Sequence, residues 1–338
     1  MILYVSGATG GHIYPGIAMA QAFNESAHFI VSRPHPAKDI LNAYQFSYQV
    51  IGFSIKALIL FPIVIGKIMM VFLTHRPKLV MAMGGGICIP FAVVAWCLRV
   101  PVISFEQNAI PGRATRAIQW FSKKIITAFE SAKHGIILKS KVRCLGNPMR
   151  INYPTNDRLP SEWNKIKKPT LLVVGGSQGA AKINAFIHTN RHQIMALGMN
   201  IIHLTGPRFL SEKDCISETV DDHTYVALPY LNNMMLAYEK ASIVLCRSGA
   251  TTLSEIHYQQ IPSILVPFPF AMDDHQEINA IEFVKSHPNS CWIPESELSM
   301  VHIAEQIKTM NKKISHELAP NPVADMNIIC ELVKTYLK

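Results

Sequence analysis

The stretch LYVSGATGGHIYP (3–15) is an apolar run that passes through a glycine-rich turn into a helical pattern. LLVVGGSQGAAKIN (171–184) repeats this arrangement about 168 residues later. A strand that leads through a glycine loop into a helix is the opening unit of a doubly wound α/β domain. The two copies therefore predict two Rossmann-like domains in one chain, which suits a length of 338 residues.

Short apolar runs recur along the chain and do not alternate with polar residues. Such runs are typical of parallel strands that are covered by helices on both faces, so the fold class is predicted to be α/β. The predicted strands are 2–6, 78–83, 101–106, 124–129, 170–175, 200–206, 241–246 and 262–268.

Glycine, proline and asparagine cluster in GNPMRINYPTN (146–156), which places the domain boundary there. The first domain is predicted to span 1–149 and the second 150–321. The tail, about 322–338, is predicted to be an amphipathic helix because its apolar residues recur at helical spacing. These are Ile328, Ile329, Leu332, Val333, Tyr336 and Leu337.

Composition excludes several classes of protein. Hydrophobic residues make up 49% of the chain and charged residues 16%, which excludes a disordered protein. The seven cysteines form no CxxC pair, so a disulfide framework and a zinc ribbon are both disfavoured and a reducing compartment is indicated.

Basic residues are concentrated in the first half of the chain. Residues 1–150 hold 16 Lys and Arg against 4 Asp and Glu, a balance of +12, whereas 151–338 hold 16 against 19, a balance of −3. This asymmetry indicates an anionic partner for the first half, which could be a membrane surface, a nucleic acid or a phosphorylated substrate.

The segment 57–73, ALILFPIVIGKIMMVFL, is strongly apolar but is interrupted by Pro62 and Lys67. A membrane-spanning helix needs roughly 20 apolar residues, so a span is not predicted. Basic residues in and beside the segment suggest an element that lies in a bilayer interface. The alternative is a buried core helix.

Three glycine-rich loops follow predicted strands, namely GATGGH (7–12), MGGG (83–86) and GGSQGA (175–180). Glycine lets a backbone approach a ligand closely, and the helix that follows offers free N–H groups. GATGGH lacks the G-x-G-x-x-G spacing of a dinucleotide site, and no acid ends a second strand about 20 residues on, so NAD binding is disfavoured. His12 would lie at the mouth of the first sheet, where a base of near-neutral pKa is useful.

Polar residues also follow two further strands. Glu106, Gln107 and Asn108 end the strand 101–106, and Asp274 to Gln276 follow the strand 262–268. Ligands of open α/β sheets bind at these carboxyl ends, and amides and acids suit sugar hydroxyls. No spacing typical of a metal site is present, so no metal and no cofactor are predicted.

The segment RSGATTLSEI (247–256) is the most informative motif, because a strand ends there and a helix begins. The N–H groups of residues 249–252 would point at a diphosphate, and Glu255 could accept hydrogen bonds from ribose hydroxyls. The lysine of a P-loop is absent, which disfavours a Walker-type NTPase.

Taken in this order, the motifs resemble the MurG family of bacterial peptidoglycan synthesis. The resemblance runs from residue 7 to about residue 280. It rests on TGGH (9–12), EQNA (106–109), GNPMR (146–150), GGSQGA (175–180), RSGATTLSE (247–255) and QEINA (276–280).

The resemblance implies a GT-B fold, with two Rossmann-like domains facing a cleft and a last helix that crosses back to the first domain. It implies transfer of GlcNAc, with inversion, from UDP-GlcNAc to the C4 hydroxyl of the muramoyl sugar of undecaprenyl-linked lipid I, which gives lipid II. The expected location is peripheral, at the cytoplasmic face of the inner membrane, with the patch 57–73 on its anionic surface.

Site residues follow from the matching positions. The resemblance implies that His12 is the candidate general base and that Glu255 binds the ribose. The backbone of Leu231 is expected to hold the uracil. The remaining donor-site positions are Thr9, Gly10, Gly11, Asn108, Arg150, Ser177, Ala250, Thr251, Thr252, Leu253, Ser254 and Gln276.

Three positions depart from the usual pattern of the family. Phe105 stands where histidine is usual, Gly86 and Cys88 replace the usual Tyr and Ser of the second glycine loop, and an asparagine is missing near Thr115. All of these lie on the acceptor side.

Another GT-B glycosyltransferase with a lipid or small-molecule acceptor is therefore one alternative. A non-catalytic lipid-binding or nucleic-acid-binding protein is the other, although the dispersed basic residues disfavour nucleic acid.

Overall fold

The structure is a computed structural model that describes residues 1–23, 25–52, 61–150, 152–154, 157, 159–167, 169–211, 215–313 and 326–337. The chain divides into two compact units, Met1–Asn152 with Pro322–Lys338, and Tyr153–Asn321. The first unit ends at 152 instead of the predicted 149, so Arg150 belongs to the first unit and not to the second.

The first unit contains a seven-stranded sheet of order β3-β2-β1-β4-β5-β6-β7, in which every neighbouring pair is parallel. The order reverses between β1 and β4, and α/β sheets bind ligands at such a switch point. The strands are β1 (Ile2–Ser6), β2 (Ala27–Val31), β3 (Ser47–Val50), β4 (Leu79–Ala82), β5 (Val102–Glu106), β6 (Lys124–Thr127) and β7 (Val142–Cys144).

The second unit contains a seven-stranded sheet of order β10-β11-β9-β8-β12-β13-β14. Its strands are β8 (Thr170–Val174), β9 (Asn200–Leu204), β10 (Ile216–Val220), β11 (His223–Leu228), β12 (Ile243–Cys246), β13 (Ser263–Leu265) and β14 (Cys291–Trp292).

One strand pair departs from the parallel sheets predicted above, because β10 runs antiparallel to β11. Asp221 and Asp222 join these two strands with φ angles of 46° and 66°. A two-residue loop with both φ angles positive matches the twist of a hairpin. The hairpin therefore adds an antiparallel edge to an otherwise parallel sheet.

Helices cover both sheets, as the apolar strands require. They are α1 (Gly10–Ala22), α2 (Ala37–Ala43), α3 (Phe61–His75), α4 (Cys88–Cys97), α5 (Arg113–Ile118), α6 (Ala181–Met195), α7 (Met235–Tyr238), α8 (Ala250–Gln259), α9 (His275–Ser286), α10 (Met300–Lys313) and α11 (Met326–Lys334).

Strand β1 shows how the first unit is packed. Ile2 and Tyr4 belong to one core, whereas Leu3 and Val5 belong to the core on the opposite face of the sheet, as the two-residue period of a strand dictates. Ile329 and Val333 of α11 are fully buried in the core that contains Ile2 and Tyr4. The predicted return of the last helix to the first domain is confirmed.

Candidate functional site

The predicted site residues lie in two groups, one at the carboxyl edge of each sheet. In the first unit, Thr9 to His12 follow β1, the glycines 84–86 follow β4, and Asn108 follows β5. In the second unit, the residues are carried by the loops after β8, β11, β12 and β13. The parallel strands explain this grouping, because all of their carboxyl ends meet at the same edge.

The His12 ring packs closely against the backbone of Gly7 and Gly84. A Cβ atom on Gly7 would lie 2.7 Å from His12 Nδ1, and one on Gly84 would lie 2.6 Å from His12 Cδ2. Thr9 Oγ1 lies 3.3 Å from Nδ1 of the same ring. The sequence predicts that the glycines of these two loops let a ligand approach the backbone closely. The structure shows that they also make room for the imidazole.

Two side chains hold the second glycine loop. The Cys88 Sγ lies 3.2 Å from the carbonyl oxygens of both Val5 and Gly84, which share its single proton, and burial raises the pKa of this thiol to about 12. Gln107 Nε2 donates to the carbonyl of Met83 at 2.9 Å. Cys88, which departs from the family pattern, is therefore a support for the loop on which His12 rests.

Glu106 organises the loop after β5. Its Oε1 accepts hydrogen bonds from the backbone and side-chain amides of Asn108, and its Oε2 accepts from the Gly112 amide and from the Thr115 hydroxyl at 2.5 Å. Burial raises the pKa of Glu106, although these donors oppose the shift. Thr115 thus supplies a polar contact at one departing position, whereas Phe105 packs in the core.

Arg150 lies in the first unit. Its guanidinium stacks over the Tyr14 ring at 4.0 Å and donates a 3.1 Å hydrogen bond to the Tyr44 hydroxyl. The side chain is largely buried. Both of these contacts are with tyrosines, and binding of an anion by Arg150 stays a prediction.

The N-terminus of α8 has features that suit an anion. Gly249 precedes the helix, no side chain caps it, and its first turn contains no acid. A Cβ atom on Gly249 would meet no atom within 4 Å. The Thr251 hydroxyl is buried and has no hydrogen-bond partner among the described residues. Such an unpaired group is costly unless a ligand pairs with it.

The other predicted residues of α8 differ in what they can offer. The Leu253 side chain is buried in the protein, and the Ser254 hydroxyl donates to the Ala250 carbonyl at 2.8 Å. The Leu253 N–H donates to the Gly249 carbonyl at 3.0 Å, so ligand contacts of Leu253 and Ser254 stay predictions. Ala250 has no polar side-chain atom, so a polar contact there would involve its backbone. Thr252 is half-buried.

The loop before α8 is held by α9. The Ser248 hydroxyl donates a 2.7 Å hydrogen bond to the Gln276 carbonyl, and the buried Asn279 amide donates to the Ser248 carbonyl at 3.2 Å. The Phe268 amide in turn donates to Gln276 Oε1. The side-chain oxygen of Gln276 is therefore engaged within the protein, and its contact with a ligand stays a prediction.

Glu255 is buried one helical turn beyond the N-terminal turn of α8. Its Oε2 accepts a 2.9 Å hydrogen bond from the hydroxyl of Tyr238, which is also buried. Sequence reasoning did not identify Tyr238, because no local pattern links a tyrosine in α7 to a glutamate in α8.

The loop between β8 and α6 is fixed by glycine packing. Gly176 and Gly179 have φ angles of +88° and +77°, and a Cβ atom on Gly179 would lie 2.0 Å from the Thr205 carbonyl oxygen. Only glycine fits there. The loop presents Ser177, which is exposed.

Leu231 follows β11 in a segment without regular structure. Its side chain is buried, and its backbone N–H and C=O make no hydrogen bond with the described part of the chain. The backbone of Leu231 could therefore pair with a ligand.

A buried ion pair lies at the carboxyl ends of β12 and β13. The Arg247 guanidinium contacts the Glu295 carboxylate and donates to the carbonyls of Val266 and Pro267 at 3.1 and 2.9 Å. Glu295 was not identified from the sequence, since it lies 48 residues from Arg247.

Helix α3 has a buried side and exposed apolar side chains, and residues 57–60 of the segment 57–73 lie outside the described part of the chain. Val64, Ile68, Val71 and Phe72 are buried in the core. We define the apolar face as the exposed residues of α3 and of the neighbouring α4 and α5 region, which are Ile63, Met70, Leu73, Trp96, Leu98 and Trp120.

Two features are absent from the described residues. No helix among them is long and apolar enough to cross a membrane. No three His, Cys, Asp or Glu side chains within the same described ranges come together as a metal site would require.

The chain matches two family models. Residues 2–127 match the glycosyltransferase family 28 N-terminal domain, and residues 170–331 match the glycosyltransferase family 28 C-terminal domain. The two matched regions correspond to the two sheets described above.

Similar proteins from bacteria share one name, UDP-N-acetylglucosamine–N-acetylmuramyl-(pentapeptide) pyrophosphoryl-undecaprenol N-acetylglucosamine transferase. The protein from Desulfotalea psychrophila is 32% identical, over 90% of this chain and 86% of the relative. The one from Alkalilimnicola ehrlichii is 31% identical, over 91% and 89%.

Solved structures show the same fold. MurG from Acinetobacter baumannii superposes with a TM-score of 0.70 at 21% identity, over 99% of each chain. UDP-GlcNAc 2-epimerase from Methanocaldococcus jannaschii gives 0.64 at 15% identity, over 99% of this chain and 100% of that one. The expected GT-B fold with two Rossmann-like domains is confirmed. From its sequence relatives and the two family 28 domains, the chain belongs to the MurG family of glycosyltransferases.

Proposed function

We propose that this protein transfers GlcNAc from UDP-GlcNAc to the C4 hydroxyl of the muramoyl sugar of undecaprenyl-linked lipid I. The product is lipid II, the reaction inverts the anomeric carbon, and no cofactor takes part. Membership of the MurG family supports this activity, because the relatives carry the name of that transferase.

The observation that carries the proposal is the N-terminus of α8. An uncapped helix start without acids, together with the unpaired Thr251 hydroxyl, provides donors for a diphosphate. Glu255 lies one turn further along, where a carboxylate can accept from ribose hydroxyls. Donors of this kind stabilise the UDP leaving group as charge develops on its phosphate oxygen.

His12 is proposed as the general base. The acceptor hydroxyl transfers its proton to His12 as its oxygen attacks the anomeric carbon of GlcNAc. The bond from that carbon to the diphosphate oxygen breaks, and its electron pair leaves with UDP. The backbone at Gly7 and Gly84, which packs against the His12 ring, and the Thr9 hydroxyl hold the ring in one orientation, which this step requires.

The remaining predicted residues are proposed as donor contacts. Gln276 donates its amide to sugar hydroxyls, and Asn108 does so from the first unit, where Glu106 orients it. The backbone of Thr9, Gly10 and Gly11 is proposed to contact the sugar diphosphate, and Ser177 and Arg150 are proposed as further donor contacts.

We further propose that the protein is peripheral at the cytoplasmic face of the inner membrane. The acceptor is a lipid, and the apolar face carries two exposed tryptophans, which favour the headgroup region. Exposed basic residues of the first unit, among them Lys67, Arg76, Lys78 and Arg99, supply attraction to anionic lipids.

The activity is tested by measuring UDP release from UDP-GlcNAc with and without lipid I. We expect rapid release only with lipid I, accompanied by formation of a disaccharide product. Release without lipid I would indicate a hydrolase. Release with another acceptor but not with lipid I would indicate a different GT-B glycosyltransferase.

A further inference from the structure

Asp157 makes an unusually complete contact with the loop after β11. Its Oδ1 accepts hydrogen bonds from the backbone and side-chain amides of Asn232 at 2.8 and 2.9 Å, and its Oδ2 accepts from the Asn233 amide at 2.7 Å. Both oxygens of one carboxylate are thus used on two consecutive residues. Asp157 lies 75 residues away from this loop in sequence.

The residue that precedes this contact is Leu231. Its side chain is anchored in the protein, while its N–H and C=O make no hydrogen bond among the described residues. The orientation of these two groups is therefore set by the buried side chain on one side and by the Asn232 and Asn233 amides on the other.

A fixed N–H beside a fixed C=O can distinguish two pyrimidines. Uracil presents an acceptor at O4 next to a donor at N3, whereas cytosine presents a donor at N4 next to an acceptor at N3. A backbone N–H that pairs with O4 of uracil would face the N4 donor of cytosine, and a C=O that pairs with N3–H of uracil would face the N3 acceptor of cytosine. The same backbone groups therefore disfavour cytosine. The discrimination depends on a rigid backbone, because a mobile loop could adapt to either base.

We propose that Asp157 is a positioning residue that holds the Leu231 backbone in the orientation that selects a uracil over a cytosine nucleotide. This inference rests on the proposed function, in which Leu231 faces the base of the donor. Asp157 does not touch the nucleotide. It acts through hydrogen bonds that involve a charged acceptor, which are stronger than those between neutral groups.

The test is the affinity of the full chain for UDP and for CDP, measured by titration calorimetry. For Asp157→Asn we expect the dissociation constant of UDP to rise about tenfold and that of CDP to change by less than about twofold. The preference for UDP over CDP therefore falls. Asp222→Asn, which removes the same charge from an exposed turn of the same unit, should leave both constants unchanged.

A second variant addresses the possibility that Asp157→Asn does not fold. Asn232→Ala removes one of the three hydrogen bonds and leaves the carboxylate in place, so we expect the preference for UDP to fall about threefold. Equal weakening of UDP and CDP, or an unchanged ratio in a folded variant, would overturn the role of Asp157. Absence of UDP binding by the unaltered protein would instead overturn the proposed function.

Discussion

The hydroxyl of Tyr238 donates a 2.9 Å hydrogen bond to the carboxylate of Glu255, and both side chains are buried. Burial raises the pKa of Tyr238 well above its ordinary value, so the phenol remains a donor at physiological pH. The hydrogen bond limits rotation of the carboxylate. Tyr238 therefore orients the group that we assign to the ribose.

Tyr238→Phe is expected to weaken UDP-GlcNAc binding about fivefold, since one hydrogen bond to the carboxylate, worth about 1 kcal/mol, is lost. Titration calorimetry measures this change. Tyr225→Phe, which removes a buried hydroxyl that contacts His203 elsewhere in the same unit, is the matched control. An equal loss of affinity for 2′,3′-dideoxy-UDP would argue against an effect through the ribose.

His12→Ala is expected to lower turnover by at least about a hundredfold, while the dissociation constant of UDP-GlcNAc stays within about twofold. Gly7→Ala should also lower turnover, because its Cβ atom would lie 2.7 Å from the His12 ring. Gly52→Ala is the control, since a Cβ atom there meets nothing within 4 Å. Turnover is measured by steady-state kinetics with lipid I. An unchanged turnover of His12→Ala would exclude His12 as the base.

Removing the partner of a buried charge should destabilise the second unit. Glu295→Ala leaves the Arg247 guanidinium buried without its carboxylate, and we expect a loss of about 3–5 kcal/mol in the free energy of unfolding. Glu297→Ala, at an exposed position two residues away, should cost less than about 0.5 kcal/mol. Urea denaturation measures both, and similar losses would contradict a special role for the pair.

Stability should depend on pH through His203. Burial lowers the pKa of this histidine from 6.5 to about 4, while its ring contacts Asn184 and Tyr225. The unfolded chain therefore binds a proton more readily than the folded one. The contribution of His203 to the free energy of unfolding is therefore complete above pH 6.5. It is lost as the pH falls towards 4, and the total loss is about 3 kcal/mol.

The thermal midpoint of the unaltered protein, measured by calorimetry, should therefore fall between pH 6.5 and 4. His203→Gln removes the titrating group and keeps a polar side chain, so its midpoint should fall less steeply. Parallel curves for the two proteins would show that His203 does not contribute.

Binding to vesicles should depend on the apolar face. Met70→Ser together with Leu73→Ser is expected to reduce co-sedimentation with anionic vesicles about tenfold, because two exposed apolar side chains are lost. Ile216→Ser, at an exposed position of the second unit, should have no effect. Added salt should weaken binding of the unaltered protein. If the double variant bound normally, this face would not be the membrane contact.

The fold was largely predictable because most strands are buried on both faces. All eight predicted runs form strands, β1 and β8 among them. The edge strands β3 and β10 were not predicted, since their exposed residues lack a continuous apolar pattern. The buried strands β2 and β11 and the short edge strands β7 and β14 were also not predicted.

Site residues could be predicted from the sequence only where they belong to one continuous motif. The loop at 247–256 shows its strand, glycine and helix start in consecutive residues. By contrast, Tyr238, Asp157 and Glu295 act through contacts between distant segments, which no local pattern reveals. The loops around Gly7 and Gly84 are distant in the sequence, and their proximity around His12 depends on the pairing of β1 with β4.

Helix α11 has a consequence for how the protein is made. Its residues Ile329 and Val333 complete a core whose other members include Ile2 and Tyr4. At a synthesis rate of about 5–20 residues per second, the first unit waits on the order of ten seconds or more for this helix to leave the ribosome. During that interval its unfinished core presents apolar surface, so the amino-terminal half of the nascent chain is the part most in need of chaperone protection.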